Sequence, residues 1–258
     1  MKLTLLILVA ATLAAADPNQ KWIAHRGGVV DSRFSENSPA SLEAAVKHGY
    51  WMIESDIRET RDGKIITQHD PDFKRFYNDS RKAVDMTLTE VQKLRANPGN
   101  TAPMTFHELV QACRGRLGLM LDIKEPDHNK AFYDEIEKEL RAASMLEATY
   151  FIGLESGWKH FRGKARVAVN MKQLKEAVTK GEDVAKLYFL FEWGKTLTPE
   201  MVKFAQNHRV AVVPSINTFH YGKDMAESIR IGSDDVRRMK ALGVTEFQID
   251  SVYEPAFR

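Results

Sequence analysis

Short β-rich runs alternate with amphipathic stretches through most of the chain, and no Gly-x-Gly-x-x-Gly turn follows the first run. The first observation predicts an α/β fold, and the second argues against its open, doubly wound form. Eight such runs match a TIM (β/α)8 barrel, a closed parallel barrel inside a ring of helices. The predicted strands are 22–26, 51–58, 118–123, 149–153, 165–169, 187–192, 209–213 and 246–250. Helices are predicted over 39–48, 105–114, 129–143, 171–180, 199–207 and 233–242. Ser38 before Pro39 makes a helix start, while Gly49 and Gly243 make helix stops. After the second strand, Asp62-Gly63 signals a β-hairpin. The irregular stretch from Pro71 to about Met104 extends it into a long loop insertion.

The chain has 258 residues, 43% apolar and 28% charged, enough to build a globular core. Thirty-seven Lys and Arg against 35 Asp and Glu leave +2, too little for a nucleic-acid face. A single cysteine, Cys113, excludes an intramolecular disulfide and any cysteine-based zinc cluster. No apolar run reaches the ~18 residues that span a bilayer, so no stable membrane insertion is expected. Lys2, the apolar run Leu3 to Ala15 and the small residues before Asp17 read as a signal peptide over 1–16, with export to the periplasm or medium. One domain over 17–258 remains, with no repeat, linker or signal for its oligomeric state.

The chemistry gathers at the carboxyl ends of the first three strands. In Met52-Ile-Glu-Ser-Asp-Ile-Arg58, strand alternation puts Glu54, Asp56 and Arg58 on one face. Asp122 and Lys124 end the third strand on the neighbouring position. Burying such acids without a partner is costly. Three carboxylates suit one hard divalent cation, Mg²⁺ or Ca²⁺. The alternative is a salt-bridge network with Arg26, Arg58 and Lys124.

If Asp62-Gly63 is a two-residue turn, Arg61 pairs with Lys64 and Asp56 faces His69. His25 ends the adjacent first strand, so two histidines join the three carboxylates at one barrel mouth. Of the remaining six histidines, only His220, after the seventh strand, is a further candidate. Trp193 follows the sixth strand at the same end, placed either to pack on a substrate's carbon skeleton or as a structural tryptophan.

His25-Arg26-Gly27, Glu36-Asn37-Ser38, Glu54-x-Asp56, Thr60-x-Asp62-Gly63, His69-Asp70, Thr87-Leu-Thr-Glu90 and Leu121-Asp122-Ile123-Lys124 occur in an order and spacing that resembles the glycerophosphodiester phosphodiesterase family. The resemblance covers nearly the whole chain after the leader. It implies a TIM barrel, His25 and His69 as catalytic histidines, and Glu54, Asp56 and Asp122 as metal ligands. It also implies that Arg26, Glu36 and Lys124 line the phosphate site, and that a glycerophosphodiester is cut to sn-glycerol 3-phosphate and an alcohol. Asp122 is shorter than the family's usual glutamate. Pro214-Ser-Ile-Asn217 and Asp250-Ser-Val-Tyr-Glu254-Pro255 also depart from its pattern, which bears on substrate more than on reaction. Two other readings keep the architecture: a lipid phosphodiesterase acting on lysophospholipids or sphingolipids, and a non-catalytic protein that captures phosphorylated solutes. An exposed apolar rim around 71–104, where Phe73, Phe76 and Tyr77 lie, would favour the lipid reading.

Overall fold

The computed structural model describes residues 19–31, 33–125, 128–222 and 224–256, so the expected leader over 1–16 lies outside the described residues. Its strands are β1 (Lys21–Ala24), β2 (Met52–Glu59), β3 (Ile65–Thr67), β4 (Asp72–Phe73), β5 (Asp79–Lys82), β6 (Gly118–Ile123), β7 (Tyr150–Gly153), β8 (Arg166–Val169), β9 (Tyr188–Trp193), β10 (Ala211–Ile216) and β11 (Glu246–Ile249). The helices are α1 (Pro39–Lys47), α2 (Lys74–Tyr77), α3 (Leu88–Val91), α4 (Phe106–Cys113), α5 (Lys130–Ala142), α6 (Glu155–Phe161), α7 (Met171–Thr179), α8 (Val184–Leu187), α9 (Pro199–Asn207) and α10 (Met225–Ala241).

Strands β1, β2 and β6 to β11 are parallel neighbours in chain order, and β1 closes the ring by pairing with both β2 and β11. The predicted barrel is the observed one. Strand parity divides its side chains. Ile23, Met52, Met120, Tyr150, Phe189 and Val213 come from six strands and form one cluster, which only the inner face of a closed sheet allows. The alternate residues Ile53, Ile57, Leu119, Leu121 and Ile123 join the larger core beneath the helices. Glu54, Asp56 and Asp122 have the inward parity and stand above the apolar inner layer, at the strands' carboxyl ends.

The turn after β2 corrects one expectation. The Thr60 N–H donates to the Lys64 carbonyl at 2.8 Å, closing a three-residue loop in which Gly63 has φ +71°. Asp62 Oδ1 accepts from Thr60 Oγ1 and from the Leu88 N–H, which ties the loop to α3. With the extra residue, Ile57 pairs with Thr67, and Asp56 faces Gln68 instead of His69. The stretch from 71 to 104 carries β4, α2, β5 and α3 around its own small core of Ile66, Phe73, Ala83, Met86 and Val91. Phe73 is fully buried there, with Tyr77 edge-on to it, while Phe76 is half-buried and lines the cavity that holds His25. Helix α10 begins eight residues before its predicted start, capped by the Asp224 side chain.

Candidate active site

The turn after β1 places the first two site residues. Arg26 has left-handed backbone (φ +56°), and its N–H donates to Glu54 Oε2 at 2.8 Å. Gly28 (φ +136°) lies so close to α1 that a Cβ there would stand 2.1 Å from the Ser41 carbonyl oxygen. Ser38 caps α1 by accepting from the Ser41 N–H, as Ser38-Pro39 predicts. Asn37, just before that cap, donates from Nδ2 to Asp56 Oδ2 at 3.0 Å. A strained residue beside a reacting centre persists because its surroundings hold it, and here two chain segments do so.

Glu54, Asp56 and Asp122 present oxygens that all lie within 4.8 Å of one another. Glu54 and Asp56 are almost completely buried. Burial, then the charges of Asp56 and Asp122, push the Glu54 carboxyl well above its usual range. Lys124 Nζ reaches Asp56 at 2.9 Å and Asp122 at 2.5 Å. Burial would discharge this lysine, but the three acids around it override that and raise its pKa. Desolvation likewise opposes the Asp56 charge, while Lys124, His69 and Asn37 restore it and hold the carboxyl below its usual value. The salt-bridge alternative leaves the triad undercharged. The Arg26 side chain goes to Glu36 and His69, while Arg58 holds the His69 carbonyl and Glu125. One lysine against three clustered carboxylates fits a bound cation, and an all-oxygen donor set fits a hard divalent one.

Both predicted histidines reach this centre, and each is held by an acid. His25 Nδ1 lies 2.6 Å from Asp250 Oδ1 and its Nε2 lies 3.8 Å from Glu54. His69 Nδ1 lies 2.8 Å from Asp70 Oδ1, and its Nε2 is 3.2 Å from Arg26 Nη2. An ionised carboxylate can only accept, so both rings carry the proton on Nδ1 and turn Nε2 inward. Burial opposes the Asp250 charge, but His25, the Thr218 N–H and Asn217 together hold its carboxyl far below the usual range. Asp70 is opposed by burial too, and Arg75 and His69 keep it ionised.

Glu36 joins two guanidiniums, Arg26 Nη1 at 2.8 Å and Arg75 Nη2 at 2.5 Å. Arg26 Nε is buried with no hydrogen-bond partner. Trp193 stands at the rim, stacked on His220 at 4.5 Å, and does not line the cavity that holds His25. That cavity, about 420 Å³, also takes in Arg26, Glu36, Arg75 and Asp250.

The model of the Glycerophosphoryl diester phosphodiesterase family matches residues 25–244. The chain belongs to this family. A glycerophosphodiester phosphodiesterase 1 of Mus musculus is 32% identical over 111 residues, 40% of this chain and 33% of its own. A glycerophosphodiester phosphodiesterase of Bacillus subtilis (strain 168) is 26% identical over 138 residues, 48% of this chain and 46% of its own. The matched region thus spans less than half the length of these curated relatives. The fold is shared with a glycerophosphoryl diester phosphodiesterase of Parabacteroides distasonis ATCC 8503, with a TM-score of 0.73 at 21% identity over 94% of this chain and 87% of that one. It is also shared with a glycerophosphodiester phosphodiesterase of Agrobacterium tumefaciens str. C58, with a TM-score of 0.70 at 18% identity over 92% and 99%.

Four residues of this family member's site were not singled out from sequence. Asp250 ends the predicted last strand, the same strand-end signal that pointed to Asp122. Asp70 and Asn37 are chain neighbours of His69 and Glu36. Arg75 comes from the insertion and had no local signal, since only the fold of β4, α2 and β5 brings it to Glu36.

Proposed function

We propose that the chain is a metal-dependent phosphodiesterase that hydrolyses glycerophosphodiesters to sn-glycerol 3-phosphate and an alcohol. The observation that carries this reading is the pair of acid-held imidazoles bordering the Glu54, Asp56 and Asp122 cluster. Those three residues would hold a divalent ion, Mg²⁺ or Ca²⁺, whose positive charge would offset the charge that builds on the phosphoryl oxygens. Arg26 and Lys124 bring further positive charge to the phosphate, Arg26 as a planar donor and Lys124 as a point charge. One histidine takes the proton of the attacking hydroxyl at Nε2, and the other returns a proton to the leaving oxygen. Asp250 and Asp70 hold the Nδ1–H of the two rings and favour the imidazolium, which the base becomes on taking its proton and which the acid, protonated at Nε2 beforehand, gives up on donating. A protein that only captures phosphorylated solutes has no use for two imidazoles aimed in this way. The export reading rests on the Lys2 to Ala16 pattern alone.

The test is turnover of glycerophosphocholine, read as released glycerol 3-phosphate and choline, before and after chelation with EDTA. Chelation should abolish turnover and added Mg²⁺ or Ca²⁺ should restore it. His25→Ala and His69→Ala should each lower kcat by at least about 10²-fold. Undiminished turnover after exhaustive chelation would overturn the metal assignment, and release of phosphocholine instead would overturn the choice of bond.

A further inference from the structure

Arg58 follows Glu54 and Asp56 on β2, but its guanidinium serves other partners. Its Nε and Nη2 donate to the His69 carbonyl at 3.2 and 2.6 Å, and Nη1 meets the Glu125 carboxylate. Arg58 is only 7% exposed. Burial lowers its pKa against the pull of Asp56, Asp70 and Asp122, and a buried cation is kept at a cost. His69 lies just past the last β2–β3 bond, which runs from the Gln68 N–H to the Asp56 carbonyl. Arg58 therefore supplies the anchor that the ladder no longer gives.

Glu125, in left-handed backbone (φ +60°), also faces His128. Its Oε2 has no hydrogen-bond partner and lies 3.8 Å from His128 Nε2. The His128 ring is buried and stacks on Phe132 at 3.6 Å, with Tyr133 edge-on. Its Nδ1 lies 2.8 Å from Glu59 Oε2, and its Nε2 lies 2.8 Å from the Lys124 carbonyl. An ionised carboxylate and a carbonyl can only accept, so both nitrogens donate and the ring is an imidazolium. Lys124 is thereby held at both ends, since its own N–H donates to the Ile57 carbonyl at 3.1 Å.

We propose that Arg58 and His128 are positioning residues for the reaction: with Glu59 and Glu125 they form a bracket, where β2 and β6 part, that fixes His69 against Lys124 through their backbone carbonyls. The inference rests on the phosphodiesterase reading, in which His69 moves a proton and Lys124 meets the phosphate. Each cation of the bracket donates into the carbonyl of a residue whose side chain works in the site, and Glu125 lies against both cations. A bond to the carbonyl leaves the imidazole of His69 and the ammonium of Lys124 free to face substrate. Two cations and two carboxylates balance, so the bracket adds no net charge beside the acid cluster. Packing alone gives no reason for both ends to finish on site residues.

The experiment is steady-state hydrolysis of glycerophosphocholine by a set of variants, with melting temperatures measured alongside. His128→Gln puts a donor near the Nε2 position and keeps the Lys124 bond, whereas His128→Asn puts one near Nδ1 and keeps only the Glu59 bond. At similar melting temperatures, His128→Gln should stay within about threefold of wild-type kcat/KM and His128→Asn should lose at least about tenfold, because small misplacements of reacting groups are costly. Arg58→Lys keeps the charge but loses the paired donors, so kcat should fall at least about tenfold while KM stays within about threefold. Because both cations lean on Glu125, Arg58→Lys with His128→Asn should lose less than the product of the single losses. Equal kcat/KM in the two His128 variants, wild-type kcat in Arg58→Lys, or a full product in the double variant overturns the bracket and leaves the phosphodiesterase standing. Losses that merely track melting temperature do the same. A wild type that does not hydrolyse glycerophosphocholine overturns the underlying reading and this one with it.

Discussion

Asp250 shows how one side chain organises several others. Its two oxygens collect His25, Asn217 and both the N–H and hydroxyl of Thr218, so it orients the histidine and anchors the loop after β10. His220, in that loop, has a different burden. Burial, aided by the nearby charges of Lys195 and His25 and opposed by the Ser215 carbonyl and Asp250, pushes its imidazole down to about 4. In the unfolded chain the value returns to about 6.5. Between pH 6.5 and 4 the unfolded chain therefore binds a proton that the folded one does not. Stability is present above about 6.5 and is lost as the pH falls through that window. His220→Phe keeps a ring against Trp193 without the titration. Its melting temperature should fall less between pH 7 and 4.5 than that of the wild type, as thermal scans at a series of pH values would show. Equal falls in the two proteins would remove His220 as a source of acid sensitivity.

The element that controls the site most directly is the short turn from His25 to Gly28. It gives His25, the Arg26 guanidinium and the N–H that holds Glu54, and it packs on α1 through the Val29 N–H to the Ser41 carbonyl at 3.0 Å. A side chain at Gly28 meets both a forbidding φ and the Ser41 oxygen. Gly28→Ala should cost more than about 1 kcal/mol, measured as a lower urea midpoint, with turnover falling as well. Gly49→Ala has positive φ but open space around its Cβ, so it should cost less. Comparable losses in the two variants would refute the close approach as the reason for Gly28. Helix α10 carries the same lesson in the other direction. Gly232 lies within it because a Cβ there would meet the Tyr253 ring at 2.5 Å. Local propensity counts that glycine against a helix, whereas the packing on Tyr253 requires it there.

At the scale of the molecule, the barrel assembles three acids from two strands that are far apart in sequence and neighbours in space, with Asp56 in register with Asp122. Their mutual repulsion opposes folding until a cation is bound. Saturating Mg²⁺ or Ca²⁺ should therefore raise the melting temperature, because an ion that binds only the folded state stabilises it by mass action, about 2.7 kcal/mol at a hundredfold excess over Kd. For a domain of this size that is roughly 5–10 °C. Glu54→Gln should melt higher than the wild type in EDTA and gain little from added ion. A wild-type melting temperature unmoved by either ion or chelator would contradict a folded-state cation site at these residues.

The strands, most helices and the residues Glu54, Asp56, Asp122, His25 and His69 were legible in the sequence, because strand alternation and barrel order are periodic and local. The hairpin register was not. One residue in the turn shifts every pair, and Asp62 is committed to Leu88, a contact from outside the hairpin. The resemblance pointed to Glu36 and Arg26, but that they meet each other, and that Arg75 and Asp250 join the site, depended on the fold. The sequence by itself determined the barrel and pointed to the strand ends that carry the acids and the two candidate histidines. Tertiary structure alone decided which acid holds each histidine, because that depends on loops that meet only when the barrel closes.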